Sequence, residues 1–264
     1  MEDFSQYNGE GTTLRKVQLR LVDMLIEIDK ICRRHNIQYW LDCGTLLGAV
    51  RHGGFIPWDD DLDIAMPTSD YKRFLETAPK ELPESLFFQS KQTEPSWPRD
   101  YVRIRDNNSL FITKNDDFSK NYHKGLFVDV FEIVPYPSVN YKLQKHFFRW
   151  YRKTEWFFYC KQDITPKNVI AAITFPIIKA GLDRFWRLLN IGKKNKYGYY
   201  KSYNVLGVSF SEDLLFPLKD IQFEGHMFLG PADPDRYLRI LFDDYMILPP
   251  KDKRSSHMVH VELR

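Results

Sequence analysis

Apolar residues recur at three- and four-residue steps between Thr13 and Asn36, where Leu14, Val17, Leu21, Leu25, Ile28 and Cys32 line up as one stripe. That spacing predicts an amphipathic helix docked on a core by one face. Thr12 or Thr13 is its N-cap, because a hydroxyl there accepts an otherwise unpaired backbone N–H. The short aromatic run Gln38 to Asp42 predicts a strand ending at Gly44, and Leu46, Leu47, Ala49 and Val50 a short helix after a Gly44–Thr45 turn. Thr68 or Ser69 opens a further helix that buries Tyr71, Phe74 and Leu75 and stops near Pro79. Leu86 to Gln89 reads as a strand. In Tyr101 to Asp106, Val102 and Ile104 alternate with Arg103 and Arg105, a strand with one basic face. An Asn107–Asn108 turn then predicts a hairpin with Leu110 to Thr113. GLFVDVFEIV, Gly125 to Val134, is apolar enough for a central strand. Leu218 to Gly230 reads as strand and turn, and Asp233-Pro234 starts a helix with Tyr237, Leu238 and Leu241 inward.

Composition changes this picture in one region. The chain has 264 residues, 43% hydrophobic and 16% aromatic, which suits a folded domain of the larger kind or a domain with an insertion. Its net charge of +3 is uneven: Tyr141 to Lys201 holds 14 Lys and Arg against Glu155, Asp163 and Asp183. The rest of the chain is net acidic, so an anionic partner is reached through that segment. The segment is also dense in aromatics, from Phe147 to Tyr159, and contains VIAAITFPIIKAGL, Val169 to Leu182. Those fourteen residues, with a proline and a lysine among them, are too few to span a bilayer. They fit a helix lying in its interface, or a helical subdomain packing its aromatics on itself. Cys32, Cys43 and Cys160 form no metal-spaced cluster, and an odd count gives no disulfide framework, which favours a reducing cytosol. The polar start MEDFSQYNGEGTT is no signal peptide, and no nucleic-acid motif accompanies the basic segment.

The chemistry concentrates in Leu41 to Met66, LDCGTLLGAVRHGGFIPWDDDLDIAM. In an extended chain residues two apart share a face, so Asp59, Asp61 and Asp63 point the same way. Like charges so placed raise one another's pKa unless a cation compensates, and carboxylate oxygens are what Mg²⁺ selects. A solvated acidic turn after Pro57 is the competing account. Asp129, flanked by Val128 and Val130, is costly to bury alone and would share the same cation, or else cap a neighbouring loop. A strand, Gly44, Thr45 and a helix start put backbone N–H groups and a hydroxyl where a phosphate can sit, or simply make a tight turn. The tail brings Lys251, Lys253, Arg254, His257 and His260 together and is expected to return to that phosphate. Two histidines without a further Cys or His nearby make a poor zinc site.

Cys43-Gly44-Thr45, Asp61-Leu62-Asp63 and Val128-Asp129-Val130, with the long run GTLLGAVRHGGFIPWDDDLDIAM, resemble the LicD family of phosphotransferases. That family is similar to the catalytic domains of fukutin and fukutin-related protein, within the nucleotidyltransferase-like superfamily. The VDVFEIVP and DYMILPPKDKR segments resemble it too, whereas Tyr141 to Lys201 matches least well. The resemblance implies an α+β fold, a nucleotidyltransferase-like mixed β-sheet core flanked by helices, with a helical aromatic and basic insertion. The expected divisions are 1–140 for the catalytic core, 141–201 for the insertion and 202–264 packing back on the core. It further implies transfer of a phosphoalcohol, phosphocholine from CDP-choline, to a sugar hydroxyl of a cell-surface glycan or lipid-linked precursor of lipopolysaccharide, teichoic acid or capsule type. In that account Asp61, Asp63 and Asp129 hold Mg²⁺, with Mn²⁺ as the alternative, and Asp59 supports them. Gly44 and Thr45 seat the diphosphate, while Arg51, His52, Arg103, Lys253 and Arg254 bind and neutralise the nucleotide. Asp129 completes the metal site or accepts the acceptor's proton. Phosphoethanolamine, glycerol phosphate, ribitol phosphate or nucleotidyl transfer would use the same machinery. An aromatic box, with Trp58 and Trp97 as candidates, would favour choline. A catalytically silent nucleotide-binding scaffold would have no need of crowded carboxylates. The expected location is cytoplasmic, with peripheral contact on the inner face of the membrane through 141–201.

Overall fold

The computed structural model describes residues 2–97, 99–114, 116, 118–137, 139–140, 142–143, 145–147, 149, 165–189, 191–199 and 208–264. Most of the aromatic run after Phe147, and Cys160, lie outside the described residues. The chain divides into two compact units, Met1–Glu132 with Asp213–Arg264, and Ile133–Glu212. Helices flank a mixed sheet, an α+β fold.

In the first unit a short helix α1 (Ser5–Asn8) precedes the long α2 (Thr13–Arg34). Thr12 caps α2 by accepting from the Arg15 amide at 3.2 Å, and the predicted stripe from Leu14 to Cys32 is buried. Strand β1 is only Trp40–Leu41, followed by α3 (Cys43–His52), β2 (Leu62–Pro67), α4 (Thr68–Glu81), β3 (Leu86–Gln89), β4 (Val102–Asp106), β5 (Ser109–Thr113) and β6 (Phe127–Pro137). The sheet order is β1-β2-β6-β4-β3, so the apolar run of β6 is central, as its composition requires. In the second unit the end of β6 pairs with β7 (Gly192–Tyr199), which pairs with β8 (Phe210–Ser211), and this unit also holds α5 (Pro166–Leu189). Helix α6 (Glu212–Leu215) leads to the hairpin β9 (Lys219–Phe223) and β10 (His226–Gly230), then α7 (Pro234–Phe242), a 3₁₀ turn at Lys251–Lys253 and β11 (Met258–Leu263).

Four local expectations change. Gly44 and Thr45 lie in the first turn of α3, not in a turn before it, because Asp42 caps the helix by accepting from the Cys43 amide at 2.8 Å. Helix α4 runs through Pro79 to Glu81. A proline this close to the C-terminus removes a single late hydrogen bond, and the Leu82 amide still closes the helix on the Ala78 carbonyl. Ser69 does not cap α4; its hydroxyl donates to Asp70, whose other oxygen accepts from the Gln38 amide. Finally, β5 makes no hairpin with β4. It pairs antiparallel with β11, while β4 pairs with β3 and β6. Asp106 is drawn away from a tight turn: its carboxylate is taken by Arg20 of α2 and by the Asn108 amide.

A buried polar chain ties α7 to the start of α3. The Tyr237 hydroxyl donates to Asp42 Oδ1 at 2.7 Å and accepts from Trp40 Nε1 at 3.2 Å, all three side chains being fully buried. Tyr237→Phe should therefore lower stability by roughly 1–3 kcal/mol, because it leaves the indole N–H buried without that acceptor. Urea denaturation checks this as a lower midpoint at unchanged slope.

Candidate active site

The first turn of α3 and strand β2 are locked together. The Thr45 hydroxyl accepts from the Asp63 amide at 2.8 Å, and the Asp42 amide donates to the Asp63 carbonyl at 3.0 Å. The loop between them is pinned at several points. Gly53 ends α3 in the left-handed region at φ 72°, where a side chain would be strained. Glu224, at the β9–β10 turn, accepts from the Phe55 amide at 2.9 Å and from Arg15 at 2.7 Å, and it sits where a Cβ on Gly54 would intrude. Gln18 of α2, fully buried, donates to the Asp59 carbonyl at 2.8 Å. Gly44 is needed for the carboxylates themselves: a Cβ there would lie 2.8 Å from Asp59 Oδ2.

Asp59, Asp61 and Asp63 all have their pKa pushed up. Burial is the largest cause for each. Neighbouring carboxylates add to it, Asp61 and Asp60 for Asp59, Asp60 and Asp129 for Asp61, and Asp61 and Asp129 for Asp63. Asp59 and Asp61 also share a hydrogen bond, which raises the first and lowers the second. The predicted carboxylates thus lie within electrostatic reach of one another, across β2 and β6.

Asp60, on the opposite side of the chain from its neighbours, has a different task. Buried, it accepts from the amides of His257 and Met258 at 3.0 and 2.6 Å and from His257 Nδ1 at 3.0 Å. His257 Nδ1 is also 3.6 Å from Asp61 Oδ2. Hydrogen bonding to Asp60 and the charge of Asp61 lift the imidazole to about 9, so it is a cation at neutral pH. Asp59, Asp60, Asp61 and His257 offer ligand atoms that all lie within 4.8 Å of one another, an arrangement compatible with a divalent metal. This group shares Asp61 with the expected Asp61, Asp63 and Asp129. His257 stands as counter-charge to Asp60 and Asp61, and the carboxylates supply the hard oxygen donors of the group. Asp60 has no site role in the sequence reading, and His257 enters it only within the basic tail expected to return to the phosphate; the alternation that singles out Asp59, Asp61 and Asp63 also turns Asp60 away from them.

Asp129 stands opposite Arg103 in the β6–β4 register and both its oxygens accept from that guanidinium, Oδ2 at 3.0 Å. Arg103 lies over Phe127 at 3.6 Å and near Trp97 at 5.0 Å. Arg105, on the same face, is almost fully buried against Gln89 and the Gly125 carbonyl. At the end of α3, Arg51 donates to the Tyr245 carbonyl at 2.5 Å and to His52 Nε2 at 2.9 Å. Burial, reinforced by Arg51, lowers His52 to about 4, which keeps it neutral and able to accept. Arg254 pairs with Glu2 at 2.7 Å and lies 5.0 Å from the Trp58 ring centre; Lys253 is exposed. Trp58 and Trp97, the candidate choline box, are buried and each already carries an arginine over its ring.

The sheet with Asp63 and Asp129 on neighbouring strands, and the helix start at Thr45 tied to the first of them, can be set against known proteins. Residues 36–175, just over half of the chain, match the profile described as LicD/FKTN/FKRP, nucleotidyltransferase domain. The chain belongs to this family. Among relatives of the LicD-family chain, the lipopolysaccharide cholinephosphotransferase LicD of Haemophilus influenzae is 27% identical over 274 residues, 94% of this chain and 96% of that protein. The ribitol 5-phosphate transferase FKRP of Homo sapiens is 53% identical over 34 residues, 13% of this chain and 7% of its own. The mannosyltransferase regulator 4 of Saccharomyces cerevisiae is 28% identical over 116 residues, 44% of this chain and 9% of its own.

The electrostatics set a pH dependence whose sign follows from linkage. A carboxyl group held above its ordinary value of 3.8 in the fold binds more protons there than in the unfolded chain, so its contribution is lost as pH rises from that value. His257, lifted from 6.5 to about 9, contributes below 6.5 and loses that contribution as pH rises through about 9. Asp63→Asn, which removes one like charge, should melt above the unaltered chain in chelator at about pH 8, with the gap closing toward about pH 4. Mg²⁺ should raise the melting midpoint of the unaltered chain more than that of the variant. A midpoint indifferent to both changes would remove the crowding account.

Proposed function

We propose that this LicD-family chain is a phosphotransferase that moves a phosphoalcohol, phosphocholine, from a CDP-alcohol donor to a sugar hydroxyl of a cell-surface glycan or its lipid-linked precursor. The observation that carries this reading is the convergence of Asp59, Asp61 and Asp63, whose pKa values are raised by burial and mutual repulsion, with Asp129, whose charge adds to that repulsion at Asp61 and Asp63. The alignment to the lipopolysaccharide cholinephosphotransferase of Haemophilus influenzae over nearly the full length of both chains supports phosphocholine as the group moved and a glycan as its acceptor.

In this reading Asp61, Asp63 and Asp129 would hold Mg²⁺, with Asp59 assisting, since crowded hard oxygen donors lacking a Lys or Arg partner at Asp61 and Asp63 suit that ion. Bound Mg²⁺ supplies neutralisation of the diphosphate on both sides of the phosphorus. The chain's own groups position the rest. The acceptor hydroxyl oxygen attacks the phosphorus bearing the alcohol, the bond from that phosphorus to the CMP oxygen breaks, and CMP departs with its electron pair. Arg103 donates to both oxygens of Asp129 and fixes the carboxylate that either completes the metal site or takes the proton of the attacking hydroxyl. The amides of the first turn of α3 suit the diphosphate, and Arg51 and Arg254 are the cations we assign to neutralise it. His52, neutral, accepts from Arg51 and orients its guanidinium. Lys253 is exposed and free of any role in holding the fold, which leaves it for the nucleotide.

The short segment shared with the ribitol 5-phosphate transferase favours a second reading in which the alcohol is ribitol phosphate. Incubation with a panel of CDP-alcohols and Mg²⁺, scored by CMP release, separates the two by which donor turns over. Asp61→Asn and Asp63→Asn should each lower that release by about 10³-fold or more, the scale of losing several kcal/mol of charge stabilisation, with melting curves still cooperative. Full turnover by both variants would sink the assignment. Asp129→Asn should also lose release; a change in the pH–rate profile marks it as the base, and a loss of Mg²⁺ affinity alone marks it as a ligand.

A further inference from the structure

Helix α5 turns its apolar side outward. At about 100° per residue, Ile170, Ile177 and Leu188 fall on one line with Ile173 beside it, and they are 62, 76, 62 and 70% exposed. The opposite side carries the buried Phe175 and the Lys179–Asp183 ion pair at 2.7 Å. This reverses the usual order, in which the apolar stripe faces the core. Large aliphatic side chains aligned in water cost about 25 cal/mol per Å² of apolar surface, and such a stripe marks a surface that something covers.

The charges beside the stripe indicate what covers it. Lys167, Arg184 and Arg187 are all exposed, whereas the single acidic residue of α5, Asp183, lies across the helix in its pair with Lys179. An apolar stripe edged by cations alone complements an anionic lipid surface. A second copy of the chain would bring Arg184 and Arg187 against their own kind. Twenty-four residues make a helix about 36 Å long, yet among the described residues no helix is long and apolar enough to cross a membrane. The remaining geometry is a helix lying in the plane of the interface.

We propose that α5 docks the chain on an anionic bilayer, with Ile170, Ile173, Ile177 and Leu188 among the acyl chains and Lys167, Arg184 and Arg187 at the lipid phosphates. This does not rest on the transferase reading. The test is co-sedimentation of the full chain with vesicles of phosphatidylcholine alone, or with about a third phosphatidylglycerol. The chain should pellet with the anionic vesicles and be released by salt. Ile173→Asn/Ile177→Asn should cut that partition by about tenfold or more, and Arg184→Glu/Arg187→Glu should cut it comparably, both with unchanged melting curves because the positions are exposed. Equal partition by the unaltered chain and both variants, or no pelleting of any of them, overturns the proposal. So does a dimer in light scattering that the isoleucine variant dissolves, which would assign the stripe to a second copy.

Discussion

Carboxylates that repel one another have been packed into one half-buried place, and the first unit is built to keep them there. Asp59, Asp61 and Asp63 follow each other within five residues, and Asp129 approaches from the neighbouring strand. Left to themselves these groups would separate into solvent. What prevents it is backbone hydrogen bonding from elements distant in sequence: Thr45 takes the Asp63 amide, Gln18 reaches the Asp59 carbonyl, and Glu224 holds the loop that leads into them. Each clamp acts on the main chain and leaves the carboxylate oxygens unspent.

The acidic groups around this place fall into two kinds. Asp106 is paired with Arg20, Asp129 with Arg103 and Asp60 with His257, and each of these pairs joins two elements of the first unit. They are compensated, and their energy goes into fixing geometry. Asp59, Asp61 and Asp63 differ: among the described residues no Lys or Arg side chain makes an ion pair with them, and the counter-charge beside them is the His257 imidazole, 3.6 Å from Asp61 Oδ2. A protein that only needed a stable fold would gain by replacing such groups.

Much of this was legible in the sequence where the signal is local. The stripe from Leu14 to Cys32, the apolar run of β6 and the Asp233-Pro234 helix start each depend on neighbours a few residues away, and each appears where its pattern says. The alternation of Asp59, Asp61 and Asp63 likewise marks a shared face without any knowledge of the fold. What was not legible depends on distance along the chain. Asp60 bonds to an amide 197 residues later, so nothing near it announces the anchor. The Asn107–Asn108 pair carries an ordinary turn signal, but β5 finds its partner in β11 at the far end of the chain. Gly44 and Thr45 were misplaced by one turn because Asp42, read as the end of a strand, is also a helix cap.

The pairing of Asp129 with Arg103 makes the carboxylate set asymmetric, and the asymmetry has a chemical consequence. Arginine does not release its proton in a protein, so Asp129 keeps a fixed counter-charge on both its oxygens. Asp59 and Asp63, crowded and without such a partner, hold protons more tightly than an ordinary carboxyl group. A divalent cation entering beside Asp61 would therefore have to expel protons held by Asp59 and Asp63, and would meet Asp129 already paired with Arg103. Its affinity then rises with pH over the range where those neighbours titrate. The charge change on binding is smaller than the charge of the ion, because the protein gives up positive charge as it takes it in. Proton uptake by Asp59 and Asp63, rather than the net acidity of the loop, is what eases like charges sitting so close in a folded chain.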